Sequence, residues 1–179
     1  MADIRRLRVA CAALLVATVT AACDTEAQFA PSLPAEAGFR VDGGVLKLWT
    51  GTPCSGVIGM RLILDSGTAK STEQEWTAPK PGVVLERTDL LGAAEGGAAL
   101  QVKTPLPTDY DWTTAGESVF SVDGPKANGS RIDIARVLRE SPEHPSDSYL
   151  FGELGWMNAA DVQRENTKSF LTICTPDPE

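Results

Sequence analysis

Apolar residues recur along this chain mainly with a period of two, in short runs broken by glycine-bearing turns. In Ile58-Gly59-Met60-Arg61-Leu62-Ile63-Leu64, the residues Ile58, Met60, Leu62 and Leu64 fall on one face. Successive side chains of a strand point to opposite faces, so such a run buries one face and wets the other only if it is extended. Leu46 and Leu48 alternate with Val45, Lys47 and Trp49. Phe120 and Val122 alternate with Glu117, Val119 and Ser121, and Ile132 and Ile134 with Arg131, Asp133 and Ala135. Val83–Thr88, Ala98–Val102, Tyr149–Leu154 and Phe170–Cys174 are shorter candidates. Between the runs lie Asp42-Gly43-Gly44, Asp65-Ser66-Gly67, Lys80-Pro81-Gly82, Glu95-Gly96-Gly97, Asp123-Gly124-Pro125 and Asn128-Gly129. Turn signals at this spacing imply antiparallel hairpins. The expected fold is mainly β, an antiparallel sandwich with an immunoglobulin-like arrangement as one form of it and a barrel as the rival. One short helix is expected near the C-terminus, where Asn158 is a good N-cap and Asp161 falls in the first turn. Residues 131–140 fit both periods and read as a strand at their start.

The first 22 residues differ from the rest. Arg5, Arg6 and Arg8 precede an uncharged Ala-, Val- and Leu-rich stretch from Val9 to Val19. That stretch is too short for a membrane span, which needs about 20 apolar residues. It has instead the parts of a secretory signal peptide. Thr20-Ala21-Ala22-Cys23 resembles a bacterial lipobox, with Thr20 where Leu is usual. The resemblance implies that Cys23 is diacylated and becomes the new N-terminus, anchoring the chain to the membrane. At the level of class, the Ala-rich signal, the lipobox and the cysteine pair resemble small actinobacterial exported lipoproteins. That implies an extracytoplasmic location and no particular activity. The expected organisation is a signal at 1–22, a lipidated flexible linker at 23–38, one β domain at 39–175 and a tail at 176–179.

Of four cysteines, Cys11 belongs to the signal and Cys23 to the lipobox, which leaves Cys54 and Cys174. In an exported chain the simplest expectation is one disulfide, closing a loop of about 120 residues. Residues 1–22 hold three Arg and one Asp, so the remainder has 13 basic and 23 acidic residues, a net charge of −10. A nucleic-acid partner is not expected, since neutralising phosphates needs a concentrated basic face.

No catalytic motif stands out. The single histidine, His144, lies in Ser141-Pro142-Glu143-His144-Pro145, which reads as an exposed loop, and no G-x-S-x-G elbow accompanies it. Asp109-Tyr110-Asp111 reads as an acidic turn and not a calcium loop. No metal or cofactor is expected. Trp49 reads as core, whereas Trp76, Trp112, Tyr149 and Trp156 are the candidate ligand or partner surface. The leading functional expectation is a non-catalytic interaction module meeting an envelope protein or a cell-wall component. A small-molecule or lipid carrier with an apolar cavity is the alternative. A hydrolase using a carboxylate pair ranks below both.

Overall fold

Of the run from Ile58 to Leu64, Gly59–Leu64 become a strand with one buried face: Met60, Leu62 and Leu64 are at most 4 % exposed, and Arg61 faces solvent, while Ile58 precedes the strand and is half-buried. The computed structural model describes residues 31–92, 100–125 and 127–178. In chain order its strands are β1 (Ala35–Glu36), β2 (Gly38–Asp42), β3 (Val45–Val57), β4 (Gly59–Leu64), β5 (Thr72–Thr77) and β6 (Val83–Leu91). They are followed by β7 (Gln101–Thr104), β8 (Glu117–Asp123), β9 (Gly129–Asp133), β10 (Tyr149–Phe151), β11 (Gly155–Met157) and β12 (Leu171–Thr172). Two helices, α1 (Ile134–Glu140) and α2 (Ala159–Glu165), complete the set.

One sheet has the order β11-β10-β2-β3-β6 and the other β7-β5-β4-β8-β9. Every pairing inside these sheets is antiparallel, and neither sheet closes on itself, so the fold is a sandwich and not a barrel. The inner faces meet through Phe39 of β2 and Phe120 of β8, whose rings are 5.8 Å apart and nearly perpendicular. Edge-on aromatic packing of this kind is the geometry the ring quadrupole favours.

A second apolar cluster lies on the outer side of the first sheet. Trp49, Tyr149 and Phe151 project there and are covered by Val162 of α2 and by Phe170. The Asn158 side chain caps α2 by accepting from the Ala160 and Asp161 amides, and the Asp161 carboxylate accepts in turn from the Asn158 amide. This reciprocal capping box starts the helix where the sequence placed it.

The C-terminal segment is tied down beside β3. Cys54 and Cys174 form a disulfide with a Cα separation of 5.4 Å. Cys54 lies within β3, and Cys174, which the sequence put at the end of a strand, lies in the turn beyond β12. Strand β3 breaks register between Trp49 and Cys54, where Gly51 adopts φ +80°. A β-carbon on Gly51 would lie 2.5 Å from Thr172 Cγ2. Glycine is therefore required on two grounds, its backbone conformation and the closeness of β12.

Several boundaries depart from the sequence reading. The stretch assigned to a linker through residue 38 is already folded from residue 31. There β1 pairs in parallel with β12, and Ala37 is fully buried. The tail is engaged too, since Asp177 accepts a 2.7 Å bond from the Ser32 amide. In the ambiguous stretch 131–140, the strand β9 ends at Asp133 and α1 follows. The Asp133 carboxylate accepts from the Arg136 amide, an N-cap that converts one period to the other. Of the run expected at Ala98–Val102, residues 98 and 99 lie outside the described residues, and Gln101 and Val102 open β7, which runs to Thr104. The Glu95-Gly96-Gly97 turn, the signal, Cys11 and Cys23 lie outside the described residues. Among the described residues no helix is long and apolar enough to cross a membrane.

Candidate binding cleft

A cleft of 490 Å³ opens where β9, an edge strand, lies beside β2 and β10 of the other sheet. That is within the range of ordinary ligand sites. Phe39, Ile132, Val137 and Leu150 supply an apolar floor, and the charged rim holds Glu36, Glu117, Asp133, Glu153, Arg131 and Arg136. The alternation that builds the sandwich also builds this division. Ile132 faces inward from β9, while its neighbours Arg131 and Asp133 face outward.

Most of the rim charge is already committed. Arg131 pairs with Glu117. Arg136 pairs with Glu140 through Nε at 3.2 Å, donates from Nη1 to the Gly152 carbonyl at 3.2 Å, and lies 3.8 Å from Glu153. Asp133 is occupied as the cap of α1. Glu36 differs. Its Oε2 accepts a 2.7 Å bond from Ser130 Oγ, but no Lys or Arg reaches it among the described residues. Burial holds its carboxyl above the usual range, Ser130 partly opposes this, and the nearby Glu153 charge adds to it. Gly152, at φ +45°, leaves the space that this carboxylate fills, because a β-carbon there would lie 2.8 Å from Glu36 Oε1.

A second, more polar hollow of 390 Å³ lies on the outer face of the other sheet, around Arg61, Glu75 and Lys103. Its Glu75 carboxylate is already neutralised, since Lys103 and Arg61 both bind it and hold its pKa down.

The aromatic residues singled out from sequence do not converge on a surface. Trp76 is only 3 % exposed. It points inward from β5 opposite Met60, because strand alternation outweighs the nearby turns. Tyr149 is 8 % exposed and belongs to the outer cluster, with the Arg87 guanidinium over its ring and that of Trp49. Trp112 is half-buried in a single 3-10 turn against the core. Trp156 is half-buried, donates to Glu140 at 3.1 Å and stacks on His144 with ring centroids 4.4 Å apart. His144 is thus half-buried against an aromatic ring and not a free loop residue. Among the described residues the exposed large apolar side chains are Val84 and Val102.

The acidic turn has a structural use. Tyr110 donates its hydroxyl to Asp65 at 2.8 Å, and Asp111 caps the 3-10 turn through the Thr113 amide. No group of three or more His, Cys, Asp or Glu side chains fit to hold a metal occurs among the described residues. Glu36 itself escaped the sequence reading. Its partner Ser130 is 94 residues away, near the start of β9, and a two-residue strand carries no periodicity. No protein-family model, curated protein or solved structure matches this chain.

Proposed function

We propose that this chain is an exported, lipid-anchored module that binds a partner at the cell envelope, without catalysis, through the Glu36 cleft. The observation that carries the reading is a half-buried carboxylate without a cation among the described residues, set at the rim of an apolar-floored cleft. Withdrawing a carboxylate from water without a counter-charge opposes folding, so it is a sign of a group retained for a ligand. The anchoring part of the proposal rests on the signal and on Cys23.

Binding is favoured over hydrolysis by the state of Glu153, the acid whose charge acts on Glu36. Carboxylate-pair catalysis needs both groups held at a fixed separation, whereas Glu153 is fully solvent-exposed, at 102 %. It is favoured over a carrier role by the interior, where Phe39, Phe120 and the flanking leucines fill the space between the sheets.

Native mass spectrometry of the protein, extracted gently from its own envelope, tests this. The expected species begins at a diacylated Cys23 and retains no small apolar molecule. An unacylated N-terminus would overturn the anchor, and a retained apolar ligand would replace the interaction module with a carrier.

A further inference from the structure

The geometry points to a primary ammonium group on an apolar stem as what the cleft recognises, held at Glu36 Oε1 with its stem along Phe39, Ile132, Val137 and Leu150. This inference rests on the cleft being the binding surface.

Three observations lead to it. The lining side chains comprise four acids and two bases, so the cleft favours a positive ligand. Both bases are engaged within the protein, Arg131 with Glu117 and Arg136 with Glu140, Glu153 and the Gly152 carbonyl. Among the described residues Glu36 and Asp133 are the cleft acids with no Lys or Arg against them, and Asp133 is spent capping α1, which leaves Glu36. The manner of its single hydrogen bond then selects the kind of cation. Ser130 occupies Oε2, which leaves Oε1 as the open acceptor. A guanidinium binds a carboxylate best by a fork to both oxygens, whereas an ammonium acts as a point charge on one. The raised carboxyl of Glu36 agrees with this, since a bound cation would relieve the penalty of its burial. The floor asks for a stem of methylenes, as in a lysine side chain or an alkylamine, because such stems lie along apolar surfaces while the head stays polar.

The probes are hexylammonium, Nα-acetyl-lysine N-methylamide and hexanol. Each is titrated into the intact body of the protein and followed through backbone amide shifts at Ile132, Val137, Leu150 and Gly152. At neutral pH at least one of the two cations should shift these amides, with about tenfold or greater preference over hexanol. Glu36→Gln, which keeps an acceptor for Ser130, should reduce cation binding by about the same factor. A preference for the capped lysine assigns the source to a polypeptide, and one for hexylammonium assigns it to a free amine; either supports the inference. Equal binding of hexanol and the cations would overturn the ammonium and leave the cleft as a binding surface. No perturbation by any of the three would overturn both. The wild-type comparison with hexanol decides the matter even if the Glu36 variant does not fold.

Discussion

Ser130 donates a 2.7 Å hydrogen bond to Glu36 across 94 residues of chain, and no cation accompanies it among the described residues. A carboxyl whose folded pKa lies above its unfolded value binds its proton more tightly in the folded state. Its contribution to stability is therefore greatest below the unfolded pKa, about 4.3, and is lost as pH rises through the folded value. Removing the charge should reverse that loss. Glu36→Gln is expected to be more stable than wild type at pH 7, with the gap shrinking as pH falls through the carboxylate range. Urea unfolding at several pH values checks this. A variant less stable at pH 7 would mean that a counter-charge was removed.

Gly51 faces Thr172 so closely that a methyl group has no room, and its φ of +80° disfavours any L side chain. Gly51→Ala should lower stability by about 2–4 kcal/mol, combining backbone strain with overpacking. Gly43, at φ +59° with nothing nearby, isolates the backbone part. Gly43→Ala should lower stability by about 1–2 kcal/mol. Equal losses in the two variants would show that β12 does not press on β3.

The Cys54–Cys174 bridge spans a sequence separation of 120. By loop-closure entropy, cutting it should lower stability by about 4–5 kcal/mol, with native-state relaxation reducing the value. Cys54→Ser should unfold at lower denaturant, and reducing agent should change its midpoint far less than that of wild type. Proteolysis of this variant should begin in the β1–β12 pair, which the bridge lies beside. Identical midpoints with and without reductant in the wild type would contradict the role given to the bridge.

Burial, together with the bond to Asp65, holds the Tyr110 phenol up to about 12. Its stabilisation should be complete below the unfolded value of about 10 and lost as pH rises through 12. Asp65 works in the opposite sense, because the Gly116 amide and then the Tyr110 hydroxyl hold its carboxyl low. Its contribution is present above the unfolded carboxylate range and lost as pH falls through the folded value. Ultraviolet titration of wild type against Tyr110→Phe should show the missing phenol to be one that ionises near 12. A difference spectrum appearing near 10 instead would place that hydroxyl in water.

Much of the fold could be read from alternation because a strand's two faces differ at every step. Met60, Leu62, Leu64, Phe120 and Val122 therefore declared the inner faces, and Asn158 with Asp161 declared α2. The shortest elements were illegible. Ala35–Glu36 has no period of its own and is a strand only because β12 lies alongside. In residues 131–140, Ile132 and Ile134 suit a strand while Ile134 and Val137 suit a helix, and the Asp133 cap decides between them. For the aromatic residues, nearness to turns was the wrong guide, since Trp76 alternates inward with Gln74 on β5. The cleft was hidden for a different reason. Glu36, Ser130 and Gly152 come from three distant parts of the chain, and only the folded sandwich brings them together.

The central claim is that the partner docks over Glu36, and site-specific photo-crosslinking in the native envelope tests it most directly. A photoreactive residue at position 153, on the exposed rim, should give a discrete adduct that Glu36→Gln abolishes. The same residue at position 73, on the outer face of the other sheet, should give none. An adduct at 153 that survives Glu36→Gln, or one that forms from position 73 alone, would contradict the account.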